Sequence, residues 1–196
     1  MSPENRSLMM RANRLLGAGL VEHNLVKIED LEKANERLLE IIATNQPRQA
    51  TVLGVLAYEL KVIREEDILQ HLVETEGLGL VDLRGYEPPD ETKKGLDLDS
   101  CWATWSVPFD QEEDFTFIAS AYYLSPAVRT FWEKRFEGPL LWFGTTLEGV
   151  AEHLDRIGNP SSSKAPFPTP GAAASAPAAP VPQSSSPAPA PVARSA

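Results

Sequence analysis

Cysteine is almost absent from this chain. Cys101 stands alone among 196 residues, so no internal disulfide is possible and a cysteine-based metal site is not expected. No apolar run approaches the ~18–20 residues that span a bilayer. The opening stretch "MSPENRSLMMRANRLLGAGLVEHN" lacks a sustained apolar core before a cleavage site, so no signal peptide is expected. A bacterial-type cytoplasm is the expected location, with no direct membrane insertion. Catalytic signatures are missing too. There is no G-x-x-x-x-G-K-[ST], and Lys93-Lys94-Gly95 does not approximate one. G-x-S-x-G, H-E-x-x-H and a glycine-rich dinucleotide loop are also absent. His23, His71 and His153 are far apart in the sequence and read as surface or packing residues. Nothing in the sequence positions Cys101 against one of them as a nucleophile pair. The expectation is a protein that is not an enzyme, with no catalytic residue, no metal ligand and no cofactor.

Positive charge is scarce. Lys and Arg number 18 against 28 Asp and Glu, a net charge of −10. The residues before Asn159 hold all 28 acids but 16 of the 18 basic residues, and so carry −12. Phosphate backbones and anionic membrane surfaces need clustered Lys and Arg, so nucleic acid is not an expected partner. A basic protein surface is. From Asn159 the text turns to "PSSSKAPFPTPGAAASAPAAPVPQSSSPAPAPVARSA", with Phe167 its only aromatic residue and Lys164 and Arg194 its only charges. Such a segment buries too little apolar surface to offset its ordering entropy, so 158–196 is expected to be a disordered Pro/Ala/Ser-rich tail. It reads as a solvated tail, as a semi-rigid spacer, or as bait for a Pro-recognising module.

What the chain does have is a duplication. "LGAGLVEHNLVKIEDL" (16–31) and "LGVLAYELKVIREEDI" (53–68) share a leading Leu-Gly pair. Both then have an apolar pair at Leu25-Val26 and Val62-Ile63, and acids before a last apolar residue at Leu31 and Ile68. Around them, Leu8, Ala12, Leu15, Leu16 and Leu20 recur at helical spacing, as do Ile28, Leu31, Leu38, Ile41 and Ile42. Glu29, Asp30, Glu65, Glu66 and Asp67 suit first helical turns, and Gly77 is a natural stop. Residues 5–78 therefore read as a helical subdomain of two helix–turn–helix units. Gly17 and Gly54 each cost a helix roughly 1 kcal/mol relative to Ala. Their recurrence points to close backbone approach, by another helix or by a ligand.

Residues 79–157 read as a small α+β sandwich subdomain with helices on one face of a short sheet. "LGLVDL" reads as a short buried strand. "CWATWSVPF" and "FTFIASAYY" read as strands joined at an acidic turn, where Glu112, Glu113 and Asp114 form a solvated tip or a cation site. Ser125 with Pro126 opens a helix, "LLWF" is a strand, and Thr145 with Glu148 makes a capping box for a last helix. Trp102, Trp105, Trp132 and Trp142 all lie here, as core or as a partner surface.

Together these stretches resemble the N-terminal domain of the type II secretion and type IV pilus assembly ATPases, the GspE/PilB/MshE group. The resemblance rests on "LGAGLVEHNLVKIEDLEKA", "LGVLAYELKVIREEDILQHLVETEGLGLVDLRGYE" and "WSVPF…FTFIASAYYLSP…LLWFGTTLEGVAEHLDRI", and covers about 7–157. It implies a stand-alone, non-enzymatic adaptor or regulatory domain without the ATPase motor. Such a domain would dock to a membrane-platform protein or to the assembly ATPase, and would reach the inner membrane through that partner. Some members of the family bind cyclic di-GMP through the tandem repeat, and that implies an alternative: a receptor with a degenerate motif. Leu16, Gly17, Leu53 and Gly54 match that version, as do Leu20, Leu31 and Leu72. The family's Arg before Leu-Gly is replaced by Leu15 and Val52, and its closing Gln by Leu38 and Thr75. Arg14 and Arg48 are the substitute cations.

Overall fold

The computed structural model describes residues 2–43, 51–87, 89, 93 and 95–158. The chain divides into two units, Met1–Ser163 and Lys164–Ala196, and every described residue belongs to the first. The expected tail lies outside the described residues except for Gly158, which ends the last helix.

Helix α1, Pro3–Glu22, starts two residues before the expected 5, with Pro3 at its first position. The Asn5 N–H donates to the Ser2 hydroxyl at 3.1 Å. It ends in a Schellman motif: Leu25 N–H reaches Leu20 C=O at 2.9 Å, Asn24 N–H reaches Val21 C=O at 3.0 Å, and Asn24 takes φ 57. Helix α2, Ile28–Ala43, follows with Glu29 and Asp30 in its first turn. The second copy begins with a short α3, Val52–Gly54, capped by the Thr51 hydroxyl. It widens at once into a π-helical turn, Val55–Glu59. Lys61, at the place of Asn24, also has a positive φ of 54. Helix α4, Glu65–Thr75, comes next, and Gly77, with φ 68, is the stop that the sequence predicts.

Strand β1, Gly79–Leu80, is exposed rather than buried, because it sits at a sheet edge. A 3-10 turn, Leu83–Gly85, leads on. Helix α5, Leu98–Thr104, replaces the first half of an expected strand. Asp97 supplies the reason: its carboxylate accepts the Ser100 N–H at 3.3 Å and the Ser100 hydroxyl at 2.6 Å, which nucleates a helix. Trp105, at φ 47, turns the chain out of that helix into β2, Ser106–Glu112. Glu113 and Asp114 link it to β3, Phe115–Ser120, as the sequence leads one to expect. Helix α6, Pro126–Glu133, strand β4, Leu140–Gly144, and helix α7, Leu147–Gly158, complete the order.

The sheet order is β1-β4-β3-β2. β4 is parallel to both neighbours, and β2 pairs antiparallel with β3 through an irregularity at Pro108–Asp110. Pro108 is tolerated because β2 is the other edge. Gly144 faces Leu69 and Leu72 of α4. Its neighbour Phe143 points the opposite way, into a group with Phe109 and Phe117. Tyr86 links that group to His153 of α7. The sheet is therefore covered on both faces rather than one, as parallel pairing favours.

One hydrophobic core runs through both the helical repeat and the sheet region, from Leu8 to Leu154. Trp102, Trp105 and Trp132 are buried in it, and Trp142 packs against it half-buried. Two cap assignments differ from expectation. The Ser125 hydroxyl donates to Ala12 C=O at 2.9 Å instead of capping α6. At α7 the Gly149 N–H donates to Thr146, not to Thr145, at 3.0 Å. Thr145 is buried, so the hydroxyl nearer the surface takes the role.

Candidate functional site

The duplicated Leu-Gly unit is where sequence reasoning places function. Leu16 and Leu53 are both fully buried core residues. A Cβ on Gly17 would lie 2.5 Å from Leu31 Cδ1, so the end of the Leu31 side chain of α2 rests directly on the α1 backbone there. At Gly54 a Cβ would meet Thr51 Oγ1 at 3.2 Å and Leu147 Cδ1 at 3.9 Å. The space beside each glycine thus holds the chain's own side chains. The cavity bounded by Leu53, Glu65, Ile68, Leu69, Leu72, Ala121 and Thr145 is about 10 Å³, room for one water at most. Arg14 is exposed, on a different face of α1 from the buried Leu16 and Gly17. Arg48 lies outside the described residues. The position before the second Leu-Gly is Val52, buried, with its N–H donated to Asn13 Oδ1 at 2.7 Å.

Asn13 also accepts the Tyr122 hydroxyl at 2.8 Å and donates to Met9 C=O at 3.0 Å. It ties α1, the second copy and the segment after β3 into one buried knot, and burial pushes the Tyr122 hydroxyl pKa up. The signal for it is a polar residue in the apolar stripe Met9, Asn13, Leu16, Leu20.

Glu65 is the second residue that the sequence reading missed. It looks like an ordinary first-turn acid, yet it is 7% exposed. Its Oε2 accepts the Leu147 N–H at 2.7 Å, at the start of α7, and its Oε1 accepts the Tyr58 hydroxyl. One side chain from the first turn of α4 therefore caps the start of α7 and holds Tyr58 of the π-helical turn. Burial pushes its pKa up, while Tyr58 and the Leu147 amide oppose the rise. The available signal was an acid at the place where the first copy has Ile28.

Cys101 is fully buried in α5, and burial raises its thiol pKa, which disfavours the thiolate. His153 is buried, its pKa lowered to about 4 by desolvation and then by Arg156. His23 and His71, which look unrelated in sequence, are brought together with ring centroids 4.7 Å apart.

The apolar surface is uneven. Ile28 and Leu39 are 57% and 58% exposed. They lie eleven residues apart, so they fall on one stripe of α2 about three turns long. Exposed Glu32 lies on the stripe between them, and exposed Glu29, Glu36 and Glu40 lie to one side of it, Glu40 paired with Arg37 at 2.8 Å.

No family model and no curated protein matches the chain. Among solved structures it is similar to that of MshE with cdg, at 18% identity and a TM-score of 0.47, over 72% of this chain and 97% of that one. It is similar to that of the N-terminal domain of XpsE at 20% identity and a TM-score of 0.47, over 80% of this chain and 97% of that one. MshE is in the group that the sequence resembles, and at these values neither likeness assigns an activity.

Proposed function

We propose that this chain is a non-enzymatic docking domain of a type II secretion or type IV pilus-like machine. It binds a membrane-platform protein or the assembly ATPase, in the cytoplasm, through the outer face of α2. One observation carries the reading. In the second copy of the repeat the helix start at Glu65 is covered by α7, which donates Leu147 N–H to it. In the first copy the equivalent position is Ile28, and it is bare. The repeat therefore offers one more helix-covering face than the chain itself fills. That face carries Ile28 and Leu39 as two apolar anchors with Glu32 and Asn35 between them and exposed Glu29 and Glu36 to one side, which suits a partner element that offers apolar and basic groups together. The Leu-Gly spaces support docking rather than ligand capture, since Leu31 and Leu147 occupy them. No described helix is long and apolar enough to cross a membrane, so recruitment to the inner membrane is proposed to run through the partner.

The alternative, a cyclic di-GMP receptor with a degenerate motif, has one supporting feature: Arg14 is exposed on the helix that carries Leu16 and Gly17.

The test is a titration of the full chain with the cytoplasmic region of the cognate platform protein, and separately with the cognate assembly ATPase. A saturable complex with one of them, at a Kd of roughly micromolar, is expected, and Leu39→Asp should weaken it about tenfold or more. A complex indifferent to Leu39→Asp and Ile28→Asp would contradict the α2 surface. No complex with either component would contradict the reading as a whole.

A further inference from the structure

We propose that His23, His71 and Glu76 form a binding site for a divalent transition-metal ion of the Zn²⁺ class, bridging the two copies of the repeat. Each of the three offers a ligand atom, and these atoms lie within 4.8 Å of one another. Tetrahedral ligands about 2.0–2.2 Å from zinc sit roughly 3.3 Å apart, so side-chain rotations of an ångström or so complete the geometry. Two imidazoles and a carboxylate form a donor set that zinc uses when it keeps a position open for water or another ligand.

The surroundings point the same way. His71 Nδ1 lies 3.3 Å from the Thr75 hydroxyl. With its proton directed there, Nε2 is left as the metal-binding lone pair, which is how outer groups orient a ligating histidine. That Nε2 is buried and has no hydrogen-bond partner. An uncompensated buried ring nitrogen costs free energy, and a metal ion would satisfy it. The site also lies where two helices end. His23 is the C-cap of α1 and Glu76 the C-cap of α4, and neither helix carries a basic residue in its last turn. Both therefore present uncompensated partial negative charge to a cation. The packing of two histidine rings explains the 4.7 Å approach but not the orphaned nitrogen or the position of Glu76.

His23 belongs to the first copy of the repeat, while His71 and Glu76 lie at the end of the second. A bound ion would cross-link α1 to α4 and hold the copies in fixed relation.

The experiment uses the full chain stripped of metal by dialysis against a chelator. It is titrated with Zn²⁺ by calorimetry and with Co²⁺ by visible absorption, and melted with and without Zn²⁺. One equivalent of Zn²⁺ should bind, Co²⁺ should develop tetrahedral-type visible bands, and Zn²⁺ should raise the Tm. His23→Ala and His71→Ala should abolish the bands and the Tm rise. Thr75→Val, at an exposed position, should weaken binding about tenfold without unfolding the chain. Glu76→Gln, also outside the core, guards against a histidine variant that fails to fold, and should lose affinity while keeping its metal-free Tm. Absence of one-equivalent binding would overturn the site. So would binding of equal strength in wild type, both histidine variants and Glu76→Gln, which is the behaviour of a diffuse acidic surface.

Discussion

The two copies of the repeat share a sequence frame and are closed in different ways. In the first, Gly17 receives Leu31 from the copy's own second helix. In the second, Gly54 has Leu147 of α7 as its nearest neighbour from outside the copy. The first copy leads with a regular 20-residue helix, the second with three α-helical residues and a π turn. Yet both turn through a positive φ at the same place, Asn24 and Lys61. The turn recurs with the repeated pattern, while the helix before it differs between the copies. The same contrast recurs one step later, where Glu65 is buried under α7 and Ile28 faces water.

Breaking the comparison at its shared knot should have the largest effect. Asn13→Leu removes the acceptor that the Val52 N–H and the Tyr122 hydroxyl share, although the Tyr122 oxygen keeps Thr51 and the Leu53 amide beside it, and should cost about 2 kcal/mol in denaturant unfolding. The glycines come next and should separate the copies. Gly17→Ala forces the end of the Leu31 side chain to move, a cost that the gain in helix propensity partly offsets, and should destabilise by about 1 kcal/mol. Gly54→Ala meets only ordinary to slightly tight contacts and gains helix propensity, so it should stay within about 0.5 kcal/mol of wild type. Equal effects at the two glycines would show that the copies are closed alike.

Glu65 gives a pH signature for the second copy alone. Its folded pKa is raised above the ordinary 4.5, so the folded chain holds this proton more tightly than the unfolded one. Its contribution to stability is then greatest below about pH 4.5 and declines as pH rises through the raised value. Glu65→Gln keeps an acceptor oxygen but cannot ionise. Unfolding free energies followed upward from pH 4 should fall less steeply in this variant than in wild type. Parallel curves would show that Glu65 titrates normally.

The smallest effect is expected at the turns. Lys61→Gly relieves a left-handed conformation that lysine dislikes, and should stabilise by about 0.5–1 kcal/mol. Asn24→Gly should change little, because asparagine tolerates that region. A matching pair of thermal melts decides it.

What was legible in the sequence was local. The Leu-Gly frame, the acids opening α2 and α4, the stop at Gly77, the hairpin at Glu113-Asp114 and the Pro126 helix start all rest on residues within a few positions of one another. What escaped depends on distant partners. Asn13 meets Tyr122 109 residues away, and Glu65 meets Leu147 82 residues away. The helix at Cys101–Trp102 was hidden because aromatic residues suggest a strand, while the Asp97 cap that decides the matter lies upstream. The meeting of His23 with His71 follows from the packing of α1 near α4, which no spacing within either copy encodes. Of the candidate residues, Leu16, Gly17 and Leu53 are buried, Gly54 is half-buried and Arg14 is exposed.

The central claim is that the spaces beside both glycines are filled by the chain's own side chains, Leu31 in the first copy and Thr51 and Leu147 in the second, and that the duplicated unit acts as a docking scaffold. Calorimetric titration of the full chain with cyclic di-GMP at physiological salt tests it most directly. The account predicts no saturable heat up to roughly 1 mM ligand, where binding would be worth only about 4 kcal/mol. Saturable micromolar binding that is lost in Arg14→Ala would contradict it, and would mean that the Leu-Gly spaces open to admit a nucleotide.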